Sequence, residues 1–204
     1  MSRVVILGAG GHAKVVADIL QMRGVEVAGF LDDNPLLWGK KLLGLPVLGA
    51  IEAFSDFMPC KFVCGIGSNA VRKEIIRCLG DTAADFWETA VHPRATIARS
   101  VNLGCGSVVA AHAVINPDCF IGEHVIVNTG ATVDHDCTLS DYVHLAPGAH
   151  LAGGVNVAEG TLVGIGSQVI PGCKVGAWST VGAGATVVAD IPDYVVAKGT
   201  PACW

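Results

Sequence analysis

From residue 95 onward the chain keeps one register: an aliphatic residue recurs at every sixth position without a slip. Cut in sixes, it reads ATIARS, VNLGCG, SVVAAH, AVINPD, CFIGEH, VIVNTG, ATVDHD and so on to ATVVAD, which ends at residue 190. The third place is Ile97, Leu103, Val109, Ile115, Ile121, Val127, Val133, Leu139, Leu145, Leu151, Val157, Val163, Val169, Val175, Val181 and Val187. The first place is Ala, Val, Ser, Cys or Thr throughout, and the fourth is commonly a turn-tolerant Gly, Ala, Asn, Asp or Ser. So short a period leaves room for one strand and one corner. Such a strand cannot bury its apolar side alone, so successive coils must stack into a solenoid with the third-place column as its core.

Composition suits regular stacking. Hydrophobic residues make up 51% and aromatics only 6%, so the apolar mass is Val, Ile, Leu and Ala. Cys119, Cys137 and Cys173 all take the small first place, at spacings of 18 and 36, and are read as packing along one inner corner. Cys60 and Cys64 form a C-x3-C, and no C-x2-C exists, so neither a zinc site nor a redox motif is expected and the thiols are expected reduced. Thirteen Lys and Arg against 18 Asp and Glu give a net charge of −5 with no basic run. That argues against nucleic acid and against an anionic membrane surface as partners. With no signal-peptide pattern and no apolar run of roughly 20 residues, the expectation is a soluble cytoplasmic protein.

The first half reads differently. Residues 3–7, RVVIL, predict a buried strand, followed by GAGGHA and the helical stretch AKVVADILQMR. VEVAGFLDDN then predicts a second strand ending at Asp32 and Asp33. This is half of a Rossmann-like unit. Gly8, Gly10 and Ala13 fit G-x-G-x-x-A, with Asp32 about 20 residues on where an acid could bind a ribose, so a dinucleotide is one reading. A further strand, KFVCGIG, leads through GIGSN into the helix NAVRKEIIRCL. Two glycine loops thus fall at strand C-termini, where main-chain N–H groups and helix N-termini can hold phosphate without Lys or Arg. The plainer reading is that these glycines only make tight turns. His92-Pro93 marks the boundary, giving an α/β Rossmann-like domain over 1–92 and an all-β helix over 93–204.

The monotony of the repeat breaks at VNTGATVDHDC, where His135 stands between Asp134 and Asp136. From spacing alone, His135 is either an exposed corner residue between solvated carboxylates or a general base oriented by one of them. The stretches GAGGHAKVV, FLDD, GIGSN, VNTGATVDHDC, VHLAPGAHLAGGV and the closing GTPA together resemble the bacterial sugar acyltransferases of the sialic acid O-acetyltransferase family, and most of all its nucleotide-aminosugar N-acetyltransferases. The resemblance covers essentially the whole chain. It implies a left-handed parallel β-helix with three hexads per coil, although crossovers are ordinarily right-handed. It also implies a homotrimer with acetyl-CoA, as co-substrate, lying between subunits. The N-terminal domain would hold a nucleotide sugar and no NAD.

Carried over to this sequence, the resemblance makes His135 the catalytic base and Asp136 the acid that follows it. Gly10, Gly11, His12, Asp32, Asp33 and Gly67 fall on the nucleotide site, and Asn128 on the sugar. His144 and Gly153 fall near the thioester of acetyl-CoA, with Ile165 and Ala183 further along the pantetheine. Family members often follow Gly-x-Pro-Ala with Lys or Arg. Here Cys203 and Trp204 follow Ala202, which leaves Lys198 as the candidate contact to the CoA phosphates. The implied reaction is acetyl transfer to the amine of a nucleotide-linked amino sugar in glycan biosynthesis, with a main-chain N–H near Gly153 as oxyanion donor. The nearest rival is O-acetylation of sialic acid or another sugar hydroxyl. His112 and His124, and His144 and His150, share hexad places and invite a metal-dependent hydratase reading, but their spacing does not reproduce that ligand set, so no metal is expected. An ice-binding helix would want a flat array of Thr repeats on one face, and none is present; the glycine-rich first domain would also be superfluous to a scaffold or ice binder.

Overall fold

Four consecutive apolar residues, VVIL, make strand β1 (Val4–Leu7), and all four are buried. The structure is a computed structural model that describes residues 3–80 and 86–204. The chain divides into two compact units, Met1–Pro93 and Arg94–Trp204.

In the first unit, β1 is followed by helix α1 (Gly11–Met22) and strand β2 (Val27–Leu31). Ala13, Val16, Ala17, Ile19 and Leu20 give α1 one buried face at helical spacing. The helix stops where Gly24, at φ 71°, takes a left-handed conformation and the Val25 N–H returns to the Leu20 carbonyl. Strand β3 (Lys41–Leu42) and strand β4 (Leu45–Gly49) form a hairpin, and strand β5 (Lys61–Cys64) precedes helix α2 (Asn69–Cys78). The sheet order is β3-β4-β2-β1-β5, parallel except for β3. The chain leaves β1 toward β2 on one side and returns to pair β5 on the other. The cleft at the C-terminal ends of β1 and β5 is therefore the switch point of the sheet, where such folds take their ligands. Both glycine loops lie there.

The hairpin falls in a stretch that the sequence reading passed over. Its two-residue turn, Leu43-Gly44, has φ 51° and 79°, the positive pair of a type I′ turn. Leucine in the place usually held by Asn or Asp hides the hairpin from a sequence search.

The second unit is a left-handed parallel β-helix. Each hexad gives a two-residue strand at its second and third places, and from Thr96 to Gln168 each such strand pairs in register with the strand 18 residues on. One face stacks the strands that begin at Thr96, Val114, Thr132, His150, Gln168 and Thr186. The second stacks those beginning at Asn102, Phe120, Thr138, Asn156 and Lys174. The third includes those at Val108, Ile126, His144, Leu162, Thr180 and Val196. Third-place side chains from Val109 to Val187 are buried, each contributing about 1.5–3 kcal/mol of apolar burial. The polar first-place residues are satisfied within the core. Ser107 Oγ donates to the Gly122 carbonyl at 3.0 Å, and the Cys137 thiol to the Ala152 carbonyl at 3.2 Å.

The corners turn at the sixth place, and not at the fourth where the sequence suggested turn tolerance. Gly106, His112, Asp118, His124, Gly130, Asp136, Tyr142 and Gly148 all have φ between 54° and 68°. Glycine is the default in this left-handed region, and a side chain there carries a conformational cost. The last coil is two residues short, since Val181 pairs with Ala197.

Candidate active site

In the β-helix, His135 and Asp136 are the fifth and sixth residues of their hexad, so both project from a corner. The side chains are 61% and 65% exposed, and His135 Nδ1 lies 2.7 Å from Asp136 Oδ2. Asp136 adopts φ 58°, which Asp tolerates better than most residues, and this turn brings its carboxylate to the ring. With Nδ1–H donated to Asp136, Nε2 is the nitrogen left to accept a proton. The hydrogen bond to Asp136, and next the charge of Asp134, hold the His135 pKa above the ordinary imidazole value.

Gly153 is stacked on His135, as the bond from Gly154 N–H to the His135 carbonyl shows (2.9 Å). A Cβ on Gly153 would stand 2.6 Å from Cε1 and 2.7 Å from Nε2 of the imidazole. The glycine is thus required by the ring beside it. It continues into a column with Pro171, whose coil is tied on by the Gly172 N–H to Gly153 carbonyl bond (3.0 Å).

The other expected residues of this unit stand elsewhere. Asn128 Nδ2 and His144 Nε2 meet at 3.1 Å on the third face, and Asn128 Oδ1 accepts the Thr129 N–H. Ile165 and Ala183 continue the corner column above Thr129 and Pro147, through the bonds from Gly148 N–H to the Thr129 carbonyl, Gly166 to Pro147 and Gly184 to Ile165. Ile165 is 60% exposed. The expected site is therefore split: His135, Asp136 and Gly153 on one corner, and Asn128, His144, Ile165 and Ala183 along another. Lys198 is exposed, and its main chain bridges to Cys203 in both directions at 2.9 and 3.0 Å.

In the first unit, Gly10 is the N-cap of α1 with no side-chain cap, and a Cβ at Gly10 or Gly11 would meet nothing within 4 Å. A helix N-terminus of this kind can receive an anion on its main-chain N–H groups. The two loops touch: a Cβ on Gly67 would lie 4.0 Å from His12 Cβ, and one on Gly65 only 2.7 Å from Ala13 Cβ. Asp32 is committed within the protein. One carboxylate oxygen accepts the Ala9 N–H at 2.7 Å and the other the Asn34 N–H at 2.9 Å, which fixes the first glycine loop to the end of β2. Asp33 Oδ1 accepts the Ile51 N–H at 2.9 Å.

Two contributors escaped the sequence reading, Arg72 and the Asn116 partner of Asp134. Arg72 is 1% exposed, and its guanidinium donates to the carbonyls of Ile66 and Gly67 and to Asn69 Oδ1, fastening the second loop. Nothing in the sequence distinguishes it from a surface arginine of an amphipathic helix. Asn116 and Asp134 are linked at 3.0 Å beside His135, and their spacing of 18 was the signal that could have paired them. Among the described residues, no three His, Cys, Asp or Glu side chains converge as a metal-holding group, and no helix is long and apolar enough to cross a membrane.

A histidine–carboxylate pair on a corner of stacked hexapeptide coils and a glycine-looped parallel sheet thus occur in one chain. Residues 3–79 match the PglD N-terminal domain. UDP-N-acetylbacillosamine N-acetyltransferase of Bacillus subtilis is 42% identical over 114 residues, 54% of this chain and 52% of that protein. The crystal structure of PerB from Caulobacter crescentus, in complex with CoA and GDP-perosamine, superposes with a TM-score of 0.92 at 43% identity, over 100% of this chain and 97% of that one. The acetyltransferase domain of PglB from Neisseria gonorrhoeae, in complex with acetyl coenzyme A, gives 0.91 at 38% identity over 98% of both. The chain spans about half or less of the length of the first curated relatives it matches, 24% and 52%. It belongs to the hexapeptide-repeat sugar acyltransferases of the sialic acid O-acetyltransferase family, alongside the nucleotide-aminosugar N-acetyltransferases.

Proposed function

We propose that this protein transfers the acetyl group of acetyl-CoA to the amino group of a nucleotide-linked 4-amino-dideoxy sugar, a cytoplasmic step of bacterial glycan biosynthesis. The observation that carries this reading is the His135–Asp136 pair at 2.7 Å, with the imidazole seated against Gly153. In this reaction Nε2 of His135 takes the proton of the amine as its nitrogen bonds to the thioester carbonyl carbon. The resulting imidazolium is stabilised by Asp136. The tetrahedral oxyanion is met by a main-chain N–H near Gly153, and its collapse breaks the C–S bond. The imidazolium then returns the proton to the CoA thiolate, which restores the base.

The first unit holds the nucleotide. Its phosphates lie against Gly10, Gly11 and the Gly67 loop beside His12, and Asp33 contacts the nucleoside. Asp32 orders the first loop, and Asn128 reaches the sugar. Two solved neighbours support this division of labour: one was crystallised with both CoA and GDP-perosamine, the other with acetyl coenzyme A.

The split of Asn128, His144, Ile165 and Ala183 from the His135 corner supports a homotrimer in which each site is built from two copies. Mixed trimers of His135→Ala and His144→Ala chains then regain about a quarter of wild-type activity, because random mixing rebuilds that share of interfaces. Mixtures no more active than their parents would refute the shared site.

The test of the function is acetylation of GDP-, UDP- and dTDP-linked 4-amino sugars, with product read by mass spectrometry, since eight free thiols make a thiol-reagent assay ambiguous. N-acetylated product from one nucleotide series, abolished in His135→Ala, is the expected outcome. Acetylation of a free sialic acid or sugar hydroxyl, with every amino sugar untouched, would replace this reading with O-acetyl transfer.

A further inference from the structure

The repeat supplies its own control for the corner that bears His135. One coil on, the equivalent corner is Ala152-Gly153-Gly154, and two coils on it is Ile170-Pro171-Gly172. A corner of this helix therefore turns without a polar side chain at its fourth place. At the His135 coil that place is Asp134, and one coil earlier it is Asn116. The two are in register, because Val114–Ile115 pairs with Thr132–Val133 and the Asn116 N–H bonds to the Val133 carbonyl at 2.9 Å. Asn116 Nδ2 donates to Asp134 Oδ1 at 3.0 Å, and the same oxygen accepts the main-chain N–H of His135 at 2.9 Å. Along this column an amide and a carboxylate meet only at the coil that carries the imidazole.

We propose that Asp134, clamped by Asn116, is a positioning residue for His135: it fixes the main chain from which the imidazole projects and sets a second carboxylate charge beside the ring. The proposal rests on His135 being the base. The bond from the His135 N–H, and next that from Asn116, hold Asp134 below the usual carboxylate range, so it stays ionised when the imidazole titrates. The charged residues of this corner and of the coils next to it can be read from the register. Asp136 is on the same corner and Asp118 one coil earlier, while Gly153 and Gly154 follow without charge. Burial pushes the Cys119 thiol up and the Cys137 thiol up to about 11, so both remain neutral in this range. Two carboxylates thus flank the base on its own corner. Asp136 is bonded to the ring, and Asp134 is bonded to the backbone.

The test separates charge from clamp and needs neither sugar nor CoA for its main readout. Diethyl pyrocarbonate acylates the unprotonated imidazole, so its rate at the His135 peptide, followed by mass spectrometry from about pH 5 to 8, reports the titration of that histidine. Asp134→Asn is expected to move the midpoint down by roughly half a unit. Asp134→Glu restores the midpoint by restoring the charge, without restoring the clamp. Asn116→Ala leaves the midpoint in place and lowers kcat about tenfold at unchanged KM for acetyl-CoA, because only the placement of the ring is disturbed. A midpoint unmoved in Asp134→Asn would overturn the proposal, as would wild-type kcat in Asn116→Ala while His135→Ala is inactive. If Asp134→Asn fails to fold, the Asp134→Glu and Asn116→Ala variants still decide the matter. Full turnover in His135→Ala would instead overturn the assignment of the base, which the titration midpoint does not address.

Discussion

Replacing Gly153 by Ala tests the placement of the imidazole proposed as the base without touching the imidazole itself. The added methyl would stand 2.6 Å from Cε1, 2.7 Å from Nε2 and 3.2 Å from Nδ1 of His135, about 0.8 Å short at the closest point of the 3.4 Å where ordinary contact begins. Gly153 is not among the residues with positive φ, so the main chain accepts Ala without strain. The side chain of His135 is exposed and can swing, so the ring gives way and the coil does not. A swing of that size stretches or breaks the 2.7 Å bond to Asp136 and carries Nε2 off the line of the attacking amine. Misplacing a reacting group by about 1 Å costs on the order of a hundredfold in rate. The reduced chain entropy of Ala in the unfolded state, about 0.4–1 kcal/mol, opposes the loss of one exposed hydrogen bond, so net stability changes by less than about 1 kcal/mol. The expected result is kcat reduced about 10- to 100-fold, a Tm within a few degrees of wild type, and His135 more readily modified by diethyl pyrocarbonate at a given pH. Wild-type kcat in a folded Gly153→Ala protein would refute the claim that the ring works from this seat.

Asp136→Asn keeps a residue that tolerates φ 58° but removes the carboxylate that raises the His135 pKa. A raised value means the neutral base forms only at higher pH, so the acid limb of log kcat/KM in the wild type lies above about 6.5, and in Asp136→Asn it moves to lower pH with a lower plateau. An unmoved limb would count against the pairing. Arg72→Lys keeps the buried charge but cannot reach the Ile66 and Gly67 carbonyls and Asn69 together. It should cost about 1–3 kcal/mol in denaturant unfolding and weaken thermal stabilisation by the nucleotide. Lys198→Met should raise KM for acetyl-CoA several-fold and leave KM for acetyl-pantetheine, which lacks the phosphates, unchanged. Equal effects on both donors would exclude a phosphate contact.

The β-helix was legible because its period is enforced at every coil. A polar residue in the third place would be buried without a partner, so the aliphatic column has no gaps to blur the register. The chemistry at the corners was legible only in part. His135 and Asp136 stand out because they are charged residues in a stretch of small ones. The Asn116–Asp134 link was missed because it joins two residues 18 apart, while the eye reads neighbours. In the first unit, the glycine loops were visible as sequence, but what holds them was not. Asp32 was read as a nucleotide contact, and in the structure each of its oxygens also accepts a main-chain N–H, from Ala9 and from Asn34. A carboxylate at the end of β2 can serve the loop or the ribose, and composition does not separate the two roles.

The division of the expected site between two corners follows from arithmetic that the sequence already contained. A coil takes three hexads, so only residues whose numbers differ by multiples of 18 share a column. His135, Gly153 and Pro171 do, and Thr129, Pro147, Ile165 and Ala183 do. His135 and His144 differ by nine, which puts half a turn of the coil between them, so no rotamer unites them as Asn128 and His144 are united at 3.1 Å. A family resemblance assigns residues to one ligand without regard to this constraint, because it compares chains position by position. The periodicity assigns them to columns. Taken together, the two favour the shared site proposed above, in which acetyl-CoA touches residues of more than one copy of the β-helix. The repeat that builds the core thus also fixes which residues a single chain can present to one substrate.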